Sequence, residues 1–136
     1  MSNEHVRNLT DADKVVTKAL PAAAANHNTD ALDTEQTVGG ILENIAFEVV
    51  IPALPSLADA KALTVKVQDS ANNTSFADID PLISTSVVGV STSGSAAKTV
   101  RFRLPPSARR YIALNLAVAA SGGDNTAKSV TFQMLF

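Results

Sequence analysis

The residues able to do chemistry are few in this chain, and their spacing is poor for it. There are only two histidines, His5 and His27. Neither stands at a spacing from a serine or aspartate that suggests a catalytic relay, which is in any case defined by geometry rather than order. The absence of cysteine excludes a thiolate nucleophile, a thiolate metal site and disulfides. Asp69, Asp78 and Asp80 flank one loop–strand–loop segment. If they converged, they would suit a Ca²⁺ ion or glycoside hydrolysis by paired carboxylates. The plainer reading is that Asp69 opens a turn by bonding its own backbone, while the other two solvate loops. Gly39-Gly40 and Gly122-Gly123 lack the Lys-Ser/Thr of a phosphate loop. The expectation is therefore a protein without catalytic residues, metal ligands or cofactor. A small hydrolase using Asp78 and Asp80 is the enzymatic alternative.

The basic residues are less evenly spread. Lys98, Arg101, Arg103, Arg109 and Arg110 all fall within thirteen positions. A nucleic-acid surface would need more than Tyr111 to stack on bases, and the chain carries 11 basic against 13 acidic residues. Arginine also pairs in planar, bidentate fashion with carboxylates across protein interfaces. Contact with a protein partner is the better reading for Arg101, Arg103, Arg109, Arg110 and Tyr111.

The elements that position these residues read most clearly at the C-terminal end. Val100, Phe102 and Leu104 alternate with Thr99, Arg101 and Arg103; Ile112, Leu114, Leu116 and Val118 with Tyr111, Ala113, Asn115 and Ala117; Val130, Phe132 and Met134 with Ser129, Thr131 and Gln133. Period two means one buried and one solvated face, as in antiparallel sheets. Similar alternation runs through Phe47, Val49 and Ile51, and through Leu63, Val65 and Val67. Shorter candidates lie at 31–33, 74–79 and 83–90. About eight strands separated by turn clusters predict an all-β, antiparallel two-sheet sandwich or jelly roll over residues 29–136. The chain should end, at Phe136, inside a strand.

Residues 1–28 read differently. Thr10 and Asp13 suit a helix N-cap, Ala12, Val15, Val16, Ala19 and Leu20 fall near one helical stripe, and Pro21 stops it. An arm, extended or as a short helix, is expected here, with Val15, Val16 and Leu20 as contact candidates on a partner. The start of the chain lacks the apolar core of a signal peptide, and no run is long and apolar enough for a membrane span. Three glycosylation sequons, at Asn8, Asn72 and Asn73, are then read as chance matches. Neither nucleic acid nor membrane is an expected partner.

Three stretches carry a resemblance. Val65-Lys66-Val67-Gln68-Asp69-Ser70-Ala71-Asn72-Asn73-Thr74-Ser75-Phe76 is a strand, a turn, a polar loop and a phenylalanine. Leu104-Pro105-Pro106-Ser107-Ala108-Arg109-Arg110-Tyr111-Ile112-Ala113-Leu114 is a strand end, a proline turn and a second strand. With Thr29-Asp30-Ala31-Leu32-Asp33, they resemble the small jelly-roll capsid cement (decoration) proteins of tailed bacteriophages, over about residues 29–136. The resemblance implies a structural virion protein on the outer surface of the head, assembled in the host cytoplasm. It would bind the major capsid protein, cement neighbouring subunits and form a homo-oligomer, a dimer before a trimer. It brings no catalytic residues. The competing reading is a carbohydrate-binding or host-receptor-binding sandwich. Against it stands the poverty in aromatics, with no Trp and one Tyr.

Overall fold

A computed structural model describes residues 10–35 and 46–135, with side chains from Val15 onward in the first strand. His5, the Asn8 sequon, the Gly39-Gly40 turn and Phe136 lie outside these residues. Ten strands are formed among the described residues: β1 (Thr10–Ala19), β2 (Asn26–Asn28), β3 (Leu32–Asp33), β4 (Ala46–Ile51), β5 (Ala62–Ser70), β6 (Ala77–Asp78), β7 (Ser84–Val88), β8 (Lys98–Arg103), β9 (Tyr111–Val118) and β10 (Ser129–Leu135). No helix long and apolar enough to cross a membrane occurs among them.

The first sheet has the order β1-β10-β4-β8. The second has β2-β9-β5-β6, with β3 also on β9 and β7 also on β5. Every pairing is antiparallel. β2 and β3 lie end to end along β9, and β6 and β7 end to end along β5, so each sheet is four strands wide. The chain alternates between sheets in nested pairs: β1 with β10 and β4 with β8 in one, β2/β3 with β9 and β5 with β7/β6 in the other. That is a long hairpin rolled onto itself, the jelly roll.

The inward positions of both sheets fill the gap between them. Phe47, Phe102 and Phe132 stack nearly parallel, at centroid separations of 5.6, 5.7 and 6.2 Å. Each such contact adds about 0.5–1.5 kcal/mol beyond the area it buries. Leu63, Val65 and Val67 of β5 and Ile112, Leu114, Leu116 and Val118 of β9 close the core from the other side. At the β8 side, Gly94 adopts φ +70°, and a Cβ there would run into the Leu54 carbonyl; only glycine fits this close approach.

The N-terminal segment departs from expectation. Residues 10–19 form a strand, not a helix, and pair with β10 from Val15↔Gln133 to Ala19↔Ser129. A helix here, ended by Pro21, would be under three turns long and marginal alone. The strand instead gains a ladder with β10, brings Val16 opposite Phe132 and buries Leu20 in the core. β2 follows directly and edges the second sheet. Residues 10–28 are thus built into both sheets rather than standing off as an arm. His27 serves the corner between β1 and β2, its Nε2 donating to the Ala19 carbonyl at 2.8 Å.

Candidate functional site: the two outer faces

The outer face of the first sheet is assembled row by row from the pairing register. One row runs Val15, Gln133, Glu48, Arg101 across all four strands. Arg101 Nε donates to Glu48 Oε2 at 2.9 Å, and Gln133 Nε2 donates to Glu48 Oε1 at 2.6 Å. Both carboxylate oxygens are therefore satisfied, which is what allows Glu48 to be so little exposed. The next row is Thr17, Thr131, Val50 and Thr99, all short side chains. On the other side, Arg103 stands beside Ala46 on β4. A depression of about 260 Å³ is lined by Ala46, Arg101, Phe102 and Arg103. The result is a face of mostly short side chains crossed by one fixed polar bar, with a depression and the exposed Arg101 and Arg103 along its β8 edge.

The contact candidates separate in space. Arg101 and Arg103 belong to the first sheet, while Tyr111 opens β9 in the second, so the basic run in sequence is not one patch. Val15 lies on the outer row, but Val16 faces Phe132 and Leu20 is core. Leu20 is thus unavailable to a partner, because burying it completes the sheet. Arg109 turns onto Asp69. Its backbone N–H donates to Oδ2 at 3.0 Å, Nε and NH2 donate to Oδ1 at 3.0 and 2.7 Å, and NH2 reaches the Asp69 carbonyl at 2.9 Å. Arg110 forks onto Asp33 at 2.7 and 2.8 Å and lies 5.2 Å over the Tyr111 ring. The hydrogen bond to Asp33, and then its charge, raise the Arg110 guanidinium above its ordinary value.

The carboxylates do not converge. Asp69 is held by Arg109, and Asp78 accepts from Gln68 Nε2 at 2.9 Å and lies 3.6 Å from Lys66 Nζ. Among the described residues no group of three or more His, Cys, Asp or Glu comes together to hold a metal. Asp69 does not open a turn either. It lies on the core side of β5, opposite Ile112, and Asn72 makes the turn, its Oδ1 accepting from the N–H groups of Thr74 and Ser75 at 3.0 and 3.1 Å.

Sequence reasoning missed the outer face of the second sheet. There Asn115 Nδ2 donates to Asn28 Oδ1 at 2.8 Å, Asn28 Nδ2 to Gln68 Oε1 at 2.9 Å, and Gln68 Nε2 to Asp78 Oδ1. Three amides point the same way and end on a carboxylate, an arrangement in which each bond polarises the next. Ala117 keeps the surface low beside them, while Ala113 is fully buried. The available signal was the outward parity of Asn115 and Gln68; Asn28 was hidden because its strand was read as arm.

This fold and these faces define an antiparallel jelly roll with two polar outer surfaces. No family model and no curated protein matches the chain. Solved structures are similar to it. The PBSX exported protein XepA is 15% identical with a TM-score of 0.52, over 88% of this chain and 34% of that one; the chain thus spans about a third of XepA. A Desmodium yellow mottle tymovirus structure is 11% identical, TM-score 0.48, over 99% of this chain and 91% of that one. A Clostridium thermocellum xylanase structure containing a CBM22 module and complexed with xylohexaose is 10% identical, TM-score 0.40, over 99% and 28%. The likeness to XepA is one of fold alone and leaves function to the faces.

Proposed function

We propose that this protein is a structural component of a phage virion, placed on the outer surface of the head, where it binds the major capsid protein and cements neighbouring subunits. It acts by binding alone. The observation that carries this reading is the outer face of the first sheet, with its row of short side chains. The Arg101–Glu48–Gln133 bar is fixed in place, its neighbours are short, and Arg101 and Arg103 stand at the rim. A surface of short side chains lets another surface approach closely, and arginines at its margin suit carboxylates on the partner. The likeness of 65–76 and 104–114 to cement proteins points the same way. Many copies on a lattice add avidity to a modest single contact.

The test has two parts. Mass spectrometry of purified virions should give a copy number comparable to that of the major shell protein; a few copies per particle would instead indicate a tail or receptor role. In co-sedimentation with heads, Arg101→Glu with Arg103→Glu should abolish binding while the protein stays folded. Undiminished binding by that variant would remove this face from consideration.

One observation favours a second reading. The Asn115–Asn28–Gln68–Asp78 relay presents neutral donors and acceptors suited to the hydroxyls of a glycan. A glycan array should then show hits that Asn28→Ala with Asn115→Ala abolishes. An array without hits, beside intact head binding, eliminates it.

A further inference from the structure

Sheet edges are the parts of a β-protein that invite pairing with another chain, and most are protected by charge or by being short. Here β8 carries Lys98, Arg101 and Arg103, β1 carries Lys18, and β2, β3 and β6 have three, two and two residues. β7 has neither protection within its own strand, and the charge that reaches its edge is that of Lys98 on β8. From Pro81 to Ala97 the chain has no charged residue. The three exposed large hydrophobics among the described residues, Leu82 at 54%, Val88 at 48% and Val90 at 65%, all lie in or beside β7. Just inside it, a void of about 20 Å³ is bordered by Ile83, Thr85, Val100 and Phe102, so the core is thinly covered at this edge.

The register shows which backbone groups are open. Val67 N–H donates to the Ile83 carbonyl, and Gly89 N–H donates to that of Lys61. In an antiparallel pair, hydrogen-bonded and non-bonded positions alternate. Residues 83, 85, 87 and 89 therefore bond toward β5, and Ser84, Ser86 and Val88 aim their N–H and C=O groups away from it. Val90 N–H is already taken by the Gly94 carbonyl, so the open stretch ends at Val88. Lys98 Nζ reaches the Ser86 carbonyl at 3.2 Å; a carbonyl has two lone pairs and can accept once more.

We infer that β7 is the contact between two copies of this chain, paired antiparallel about a two-fold axis to join two second sheets into one. With Ser86 opposite its own copy, each Ser84 faces Val88 of the second copy. A strand that meets itself must not set like charges opposite one another. The residues of β7 itself satisfy this condition once each Lys98 ammonium swings off the Ser86 carbonyl at the axis; β8, meeting itself, would bring together two sets of Lys98, Arg101 and Arg103 from its own strand. The exposed Val88 and Val90 are covered by the same contact. This pairing rests on the edge and not on what the dimer binds, so a failure to bind heads leaves it standing.

Sedimentation velocity of the full chain should show a dimer at micromolar concentration. Val88→Lys places an ammonium on each side of the axis and should weaken dimerisation about a hundredfold or more, since it enters the contact twice. Its side chain is half exposed, so a thermal melt should show the variant still folded. Ser86→Pro removes only an N–H that faces away from β5 and should also give monomer. Hydrogen exchange at the Ser84, Ser86 and Val88 amides should slow as concentration rises. Arg101→Ser with Arg103→Ser on β8 should remain dimeric. A wild-type monomer at the highest soluble concentration, dimers that survive both β7 changes, or a dimer lost only by the β8 change would each overturn the assignment. A monomer that captures some other protein's strand at β7 would overturn it too.

Discussion

Two arginine–carboxylate pairs in this protein look alike on paper and differ in what they do. Arg109 meets Asp69, and Arg101 meets Glu48, both with Nε donating at 3.0 and 2.9 Å. Asp69 lies on the core side of β5, its side chain 8% exposed, and its carboxylate accepts from Arg109, side chain and backbone. Glu48 lies on an outward row and shares its oxygens between Arg101 and Gln133, while Arg101 itself is 56% exposed. The first pair ties the loop before β9 to the end of β5 and seals the barrel end. The second keeps a carboxylate in place on an open face. The two acids are almost equally buried, with 8% and 12% of the side chain exposed; the exposure of the arginine, 38% for Arg109 and 56% for Arg101, and the second partner Gln133 that Glu48 keeps separate a fold clamp from a surface feature.

The harshest test of that contrast removes the strands on which the Arg101 face depends. Deleting residues 1–28 takes away β1, β2 and Leu20 and bares the edges of β10 and β9. No cooperative melt should remain, because two edges and part of the core would be exposed at once. A truncated chain that melts cooperatively would mean that the face stands without its first strand.

Arg109→Ala comes next. It strands the Asp69 carboxylate at a buried position and should cost about 3 kcal/mol or more, read from urea unfolding. Adding Asp69→Ala should recover part of the loss, since the penalty is that of an unpaired buried charge. Arg101→Ala should cost less, because Arg101 is mostly solvated and Glu48 keeps its hydrogen bond from Gln133. The contrast collapses if the two single changes cost the same.

Why the clamp escaped sequence reading is instructive. Asp69 and Arg109 are forty residues apart, and both sit beside turn-forming residues that explain them locally. Yet Leu63, Val65, Val67 and Asp69 share one parity, so a carboxylate at a core position asked for a cation. The five strands with clean alternation, β4, β5, β8, β9 and β10, were legible because their inward faces are apolar. β1 was not. Val15 on the outer row and Val16 on the inner are both apolar, Lys18 takes an inward position at the sheet's edge, and the register shifts between Thr10 and Val15. An edge strand with a bulge needs no strict period two, and TDADKVVTKAL fits a helical stripe equally well. The basic run from Lys98 to Arg110 misled for another reason. The proline turn after β8 carries the chain from one sheet to the other, so nearness in sequence became separation in space.

The smallest effect concerns a carboxylate with no arginine at all. Asp124 Oδ1 accepts from Thr126 Oγ1 at 2.7 Å and from Thr126 N–H at 3.1 Å. These two bonds hold its carboxyl below the usual range. A group whose folded value is depressed stabilises the fold above its unfolded value and loses that contribution as pH falls through the folded one. The melting temperature of the protein should therefore exceed that of Asp124→Asn by a constant margin at neutral pH, narrowing only below about pH 4. Because Asp124 is exposed, the margin should be smaller than for either arginine pair, and a margin as large as that of Arg109→Ala would contradict the expectation that stranding a buried acid costs the most.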